Sequence, residues 1–553
     1  MPVHFTIALS RKNKTKICKT LPARPFYFTS HHLPKHFTKK QNCFYMTFSF
    51  PKLTNKKLYR RIVPCCVLIS SAFISLSCKA QEQSSQQAKS SIKVTVTDAP
   101  GFLIPTNFTG LSFEADAIAF NHRGAKGYFF SPSNKQLVNL FRNVGIRNLR
   151  MGGGTVDMHP EQGAYNQIAI DSLFAFAKVV GIKVIYSLPM LNASDSMDAV
   201  TAKYIWTHYK DDLECFSIGN EPNCPPYRDA KVGAIKSYEE YLPIWRKFAA
   251  TIVKAVPGAK FTGPDAGGWN WTEEFARDEK PSGLITIITH HQYPGGKPEI
   301  MKDGKPAPMP TQVAIDNMLS AQWLTGEYKF IYEHTDPKVA PYGFLCRLTE
   351  ANDYLGGIAG ASNAMSSTLW ALDYMHWQAD RELCGINFHN NQWLKTCTIY
   401  LGQNGEVLAN PKGYAIRAFD LIAGSRVEPL TMANPTNANV TAYASKGDGY
   451  LYVTLINKEH GANAHAANVS IAAGFTKGKA SAMYLTAPNN DPGAMTGITL
   501  GGDAITNTDT PWKGKWTNTG EQKNGEYNID VAPASAVVVR IPVPLASKLK
   551  SHR

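Results

Sequence analysis

The first 80 residues contain no Asp or Glu, yet they hold 15 of the chain's 58 Lys and Arg. The formal net charge of +15 is therefore confined to that stretch, and the remaining 473 residues carry 43 basic against 43 acidic side chains. A body without excess charge excludes a nucleic-acid partner held by a basic face. Cysteine is scarce beyond residue 80: Cys215, Cys224, Cys346, Cys384 and Cys397 show no CxxC spacing. That excludes a zinc site built on cysteine, and no metal is called for. A Cys215–Cys224 disulfide stays open as an alternative to free buried thiols. Long apolar runs are also missing. The stretch Ile62–Leu76 is fifteen residues broken by Pro64 and several Ser, too short for an integral membrane span. There is no GxSxG, P-loop, HExxH or GxGxxG, so serine hydrolase, NTPase, zincin and dinucleotide readings lose their basis and no cofactor is expected. No repeat of 20–50 residues is visible.

What is present is a chain of 553 residues, 44% hydrophobic and 18% charged, able to bury at least one large core. Lys56, Lys57, Arg60 and Arg61 precede the apolar run, which exits through Ser77, Cys78, Lys79 and Ala80. This order describes a secretory signal, so residues 1–80 are read as an export segment to the periplasm or the medium. A start at Met46 gives a signal of ordinary length, and residues 1–45 are read as an over-extended gene start. Lipid anchoring through Cys78 is the second reading. Residues 81–91 are rich in Ser and Gln and read as a linker.

Ile92–Thr97 alternates apolar and polar residues and predicts a strand. From there to residue 422, eight apolar segments alternate with amphipathic ones. The expected strands are Phe108–Phe113, Asn148–Met151, Lys183–Leu188, Cys215–Ile218, Lys260–Thr262, Leu284–Thr289, Phe344–Thr349 and Gly385–Phe388. Strict β-α alternation over 105–422 predicts an α/β fold, a (β/α)8 TIM barrel. Beyond residue 422 helical periodicity stops. Short strand-like runs between Gly, Asn, Asp and Pro clusters predict an antiparallel β-sandwich over 423–545, which the strand in 92–104 joins.

Reactive groups of a barrel sit at the C-terminal ends of its strands. Two glutamates stand there: Glu221, in Asn220-Glu-Pro222 after the fourth strand, and Glu350, in Arg347-Leu-Thr-Glu350 at the seventh. A pair of carboxyls facing one cavity is what glycosidic cleavage needs, one as acid/base and one as nucleophile or water activator. The rival for the second role, Glu333, is followed by an ordinary turn and would leave Phe344–Thr349 without a place in the barrel.

These residues resemble the retaining (β/α)8 glycosidases of clan A. Within that clan the chain is similar to glycoside hydrolase family 79, the β-glucuronidase and heparanase family. The resemblance rests on Leu111-Ser-Phe-Glu114, Leu149-Arg-Met-Gly-Gly-Gly154 with Asp157, His290-His-Gln-Tyr293-Pro, Arg347-Leu-Thr-Glu350-Ala-Asn352 and Asn387-Phe-His389, and it covers roughly residues 92–545. It implies that Glu350 is the nucleophile, Glu221 the acid/base, and Asn220 a partner of the sugar 2-hydroxyl. It also implies that Glu114, Asp157, Tyr293, Tyr354, Gly357 and His389 lie at the sugar. Asp353-Tyr354-Leu355 departs from the family, which often has Ser and further Tyr there. Trp269 and Trp271 are the tryptophans best placed for a subsite; His290 and His291, being adjacent on a strand, must face opposite ways. The expected substrate is a glucuronate-containing glycan cleaved at its terminal β-glucuronate. Endo-acting cleavage of an acidic polysaccharide and a non-catalytic glycan-binding protein are the alternatives.

Overall fold

The computed structural model describes residues 90–544 apart from Asn192 and Val232. The export segment and residues 81–89 lie outside the described residues.

All eight expected barrel strands are present: Thr109–Glu114, Asn148–Gly152, Lys183–Leu188, Leu213–Ile218, Phe261–Gly267, Ile285–Gln292, Cys346–Ala351 and Ile386–Asn390. Each pairs in parallel with its neighbours in chain order, and the eighth returns to the first to close the barrel. Alternation along the strands decides which side chains face which layer. Leu149 and Met151 join the apolar shell under the helices, while Arg150 between them enters the barrel axis. The axis is polar and hydrogen-bonded. Asn387 bonds Asn148 at 2.7 Å and Arg347 bonds Asn387 at 2.7 Å. Ser217 bonds Ser187 at 2.9 Å and Thr262 bonds Thr289 at 3.2 Å. Buried polar groups are affordable only when paired in this way.

Two sheets complete the fold. One has the order Leu430–Ala433, Ser90–Val96, Ala467–Ala472, Glu526–Val531; the other is built on Val440–Gly447, Tyr450–Asn457, Ser535–Pro542 and Lys479–Thr486. Their facing sides bury Val94, Leu451, Val453, Val469, Ile529, Val537 and Val539 in a core separate from that of the barrel. The expected sandwich is thus present with one departure from antiparallel pairing: Ser90–Val96 runs parallel to Ala467–Ala472. A parallel pair needs a long crossover, and here the whole barrel is the crossover. The five cysteines of the body are free, so the Cys215–Cys224 disulfide is not formed. Among the described residues no helix is long and apolar enough to cross a membrane.

Candidate active site

The fourth strand ends at Ile218, and Gly219 (φ +78°) turns the chain so that Asn220 and Glu221 stand over the barrel mouth. Glu221 itself is held at φ +50°, a conformation non-glycine residues seldom adopt, with its N–H donated to the Asp265 carbonyl at 2.9 Å. Strain of this kind persists where surrounding contacts over-determine it, as at functional positions. Glu350 needs no turn. It lies within the seventh strand, 7% exposed, and enters the same space from the opposite wall. Glu221, His291 and Glu350 each place one side-chain atom so that all three lie within 4.8 Å of one another. The rival Glu333 is far from this chemistry in kind: it is exposed on the short helix Lys329–His334, paired with Lys329.

Both oxygens of Glu350 are engaged. The Tyr293 hydroxyl donates to one at 2.7 Å and the Arg150 guanidinium to the other at 3.0 Å. The His389 Nδ1 is 3.5 Å from the second oxygen and the His291 Nδ1 3.9 Å. Burial alone would favour the neutral acid, but the charges of His389, His291 and Arg150 and the Tyr293 hydrogen bond outweigh it and hold this carboxyl down at about 2. Glu350 is therefore ionised, which the nucleophile role expected of it requires.

Glu221 accepts a hydrogen bond from His291 Nδ1 at 2.9 Å. On its far side, His291 Nε2 faces Asp265 Oδ1 at 3.7 Å. Burial disfavours an imidazolium, yet Glu350, Asp265 and Glu221 together raise His291 to about 9. Its neighbour His290 points the other way, buried with neither ring nitrogen hydrogen-bonded, and burial lowers it to about 3. Asp265, also at positive φ, accepts from Thr349 at 2.6 Å and faces Arg150 at 3.4 Å. Burial opposes its ionisation, but Arg150 and His291 reverse this and leave it lowered.

Arg150, fully buried, also donates to the Asn220 amide oxygen at 2.8 Å. That bond leaves the Asn220 NH2 as the free end, the polarity required to donate to a sugar hydroxyl. The glycines around Arg150 are steric necessities: a Cβ on Gly153 would lie 2.5 Å from the Glu114 carboxylate, and one on Gly152 2.6 Å from the guanidinium carbon.

The cavity above these groups has a volume of about 400 Å³, within the range of small-molecule sites. Glu114, Asp157, Asn220, Glu221, Tyr293, Glu350 and His389 line it, so seven of the nine expected site residues come together. Asp157 is committed to the protein. It accepts from the N–H groups of Met190, Leu191 and Asn220 and from the Tyr227 hydroxyl, which ties the loops after the third and fourth strands to one carboxylate. Tyr354 and Gly357 are displaced from the expected position. The Tyr354 ring is buried against Trp323 with its hydroxyl near Asn317, because Asp353 before it turns inward to Ser362 and Ser367. Gly357 stands at φ +71° against Thr396, and Gly356 reaches the cavity in its place. Trp271 stacks on Tyr241 in the core and Trp269 packs on Phe330, so neither lines the cavity.

Arg150, His291 and Asp265 had no assigned role in the sequence. The signal for Arg150 was a charged residue in mid-strand between two apolar ones. Asn391, also on the cavity wall and 3.2 Å from His389 Nε2, lacked any signal. Glu221, His291 and Glu350 are ligand types for a cation, but the donor set is poor. Arg150 and Tyr293 already occupy both Glu350 oxygens, and His291 is favoured in its protonated form.

No protein-family model and no curated protein matches the sequence. The fold does have solved counterparts. A 4-O-α-L-rhamnosyl-β-D-glucuronidase from Fusarium oxysporum 12S superposes with a TM-score of 0.63 at 16% identity, over 81% of this chain and 99% of that one. The GH51 arabinofuranosidase from Xanthomonas axonopodis pv. citri gives 0.58 at 15%, over 82% and 100%. The α-L-arabinofuranosidase from Thermotoga maritima gives 0.59 at 14%, over 82% and 100%. The structural neighbours are clan A glycoside hydrolases. At such identities the likeness establishes the barrel-and-sheet fold, and membership of family 79 does not follow from it.

Proposed function

We propose that the chain is an exported retaining β-glycosidase that removes terminal β-glucuronate from glycans. One observation carries the glycosidase reading: carboxylate oxygens of Glu221 and Glu350 approach within 4.8 Å. Retaining enzymes place the two carboxyls about 5–5.5 Å apart, whereas inverting enzymes need about 6.5–9.5 Å to admit a water.

In this mechanism the ionised Glu350 attacks the anomeric carbon as the bond to the leaving oxygen breaks, and that oxygen takes a proton from the Glu221–His291 pair. Forming the glycosyl ester removes the Glu350 charge, one of the forces that held a proton on His291. The pair thus enters the second step with one proton fewer, ready to accept one from water as it attacks the same carbon and releases Glu350. Arg150 and Tyr293 remain in place to receive the returning carboxylate.

Support for glucuronate comes from the motif resemblance and from the activity named for the Fusarium protein. A second reading, a neutral glycone, is favoured by the walls of the cavity: they include four carboxylates and no Lys or Arg. Export is supported by the basic segment followed by the Ile62–Leu76 run. A chromogenic screen with β-glucuronide beside β-glucoside, β-xyloside and β-galactoside separates the two glycones; turnover of none of them rejects the enzyme reading. Glu350→Ala is expected to abolish turnover, with azide giving the inverted glycosyl azide. Glu221→Ala is expected to cost ~10²–10⁴-fold in the first step on poor leaving groups and little in that step on activated ones, whose slowed second step azide rescues to give the retained product. Retained product from the Glu350 variant would exclude this assignment.

A further inference from the structure

The catalytic groups lie at the base of the cavity, where Glu350 is 7% exposed. The side chains that open to solvent on its walls are of a different kind. Met158 is 57% exposed and Leu355 49%, among the most exposed large apolar residues of the described chain, and both line this cavity. Leu191, Pro226 and Leu394 continue the apolar surface around the mouth. They come from the loops after the second, third, fourth, seventh and eighth strands, so the apolar side chains are spread over five of the eight loops instead of marking one wall.

A glycone seated between Glu221 and Glu350 sends its leaving group out through this opening. Two things a polysaccharide leaving group would need are missing from the cavity walls: no Trp stacks there, and no Lys or Arg offers a counter-charge to an acidic chain. Solvent-exposed Met and Leu in such a place are unfavourable in the empty protein and are repaid only when something apolar covers them. We infer that the leaving-group site takes the glycoside of an apolar alcohol or phenol, not a further stretch of charged polysaccharide. This inference rests on the glycosidase reading of the same site and replaces the glycan leaving group of that reading with an apolar one.

Alkyl β-glycosides test it, because methyl, butyl, hexyl and octyl leaving groups have nearly the same basicity and differ in apolar surface. The series is run with the glycone that turns over in the chromogenic screen, below micellar concentrations. Burial of each methylene at the mouth raises kcat/KM roughly three- to fourfold until the chain outgrows the apolar ring. In Met158→Ser/Leu355→Ser the octyl-to-methyl ratio is expected to fall at least tenfold. A flat series in the wild type, a slope that survives in the double variant, or a preference for an acidic oligosaccharide over the octyl leaving group overturns the inference while the glycosidase reading stands. Cleavage of no glycoside at all overturns both.

Discussion

Single side chains set the protonation pattern that the chemistry needs, and two of them make separable predictions. Tyr293→Phe removes one hydrogen bond to the Glu350 carboxylate and nothing else of comparable strength. Hydrogen bonds to charged groups contribute ~1.5–3 kcal/mol, so turnover is expected to drop roughly 10- to 100-fold. The bond holds Glu350 low, so its loss raises the carboxyl and moves the acidic limb of the kcat/KM profile to higher pH. An unshifted limb would show that the hydroxyl does not act on Glu350. His291 is raised in the fold to about 9 from an unfolded value near 6.5. Its contribution to stability is present in full below pH ~6.5 and is lost as pH rises through about 9. The difference in denaturant midpoint between wild type and His291→Gln is therefore expected to shrink over that interval. Strand alternation made it legible that His290 and His291 face opposite ways. Which of them faces the carboxylates depends on the tilt and register of the closed barrel, information that two adjacent letters do not carry. Asn391 was illegible for a related reason: it stands two residues beyond His389, just past the eighth strand, and only the closed barrel puts it on the cavity wall.

Whole elements were legible where apolar runs were clean and less so where function interrupts them. The fifth strand was expected to stop at Thr262 but continues through Gly263-Pro264-Asp265 to Gly267. Gly and Pro ordinarily end a strand, and reading them so cut Asp265 from the barrel and with it the partner of Arg150 and Thr349. The segment after the seventh strand was misplaced for a different reason. Asp353 is wholly buried and pairs with Lys412, itself 1% exposed, at the start of the helix Lys412–Asp420. The Lys412 ammonium also bonds the Asn352 amide oxygen, and the Asn352 NH2 bonds the His389 carbonyl at 2.9 Å. One buried cation thus joins the ends of the seventh and eighth strands. It also explains why Tyr354 turns into the core. Removing one member of a buried pair costs ~3–5 kcal/mol, because the other charge is left without compensation. Lys412→Met is expected to lose about that much in chemical denaturation, and adding Asp353→Asn to recover most of it. A small loss in the single variant would mean that solvent reaches Asp353.

At the scale of the molecule, the sheets after residue 422 are tied to the barrel by buried polar contacts as well as by apolar packing. Asp373, on the helix Met365–Ala379 that follows the seventh strand, accepts from Thr441 at 2.7 Å, Tyr443 at 2.8 Å and Lys458 at 2.7 Å. Asp373 and Lys458 are each 1% exposed, and all three donors belong to the sandwich. The same helix begins with its free N–H groups satisfied from the sandwich: Met365 donates to the Ala494 carbonyl and Ser366 to that of Pro492. On the helix Lys135–Val144, which follows the first barrel strand, Asn143 donates to the Thr506 carbonyl and accepts from the Trp512 backbone N–H. A barrel freed of these contacts would lose the donors that hold Asp373 and its helix end, and would bare to water the apolar surface that Met483, Leu485 and Val538 cover. Neither part can therefore hold its native structure once the other is lost, and unfolding is expected to be a single transition. Activity, which reports the barrel, and far-ultraviolet β-signal, to which the sandwich contributes, should disappear together on heating. Lys458→Met should bring that common transition to lower temperature without splitting it, since the uncompensated Asp373 then weakens barrel and sandwich alike. Activity that outlasts an early loss of β-signal would show that the barrel stands alone and that this interface is not cooperative.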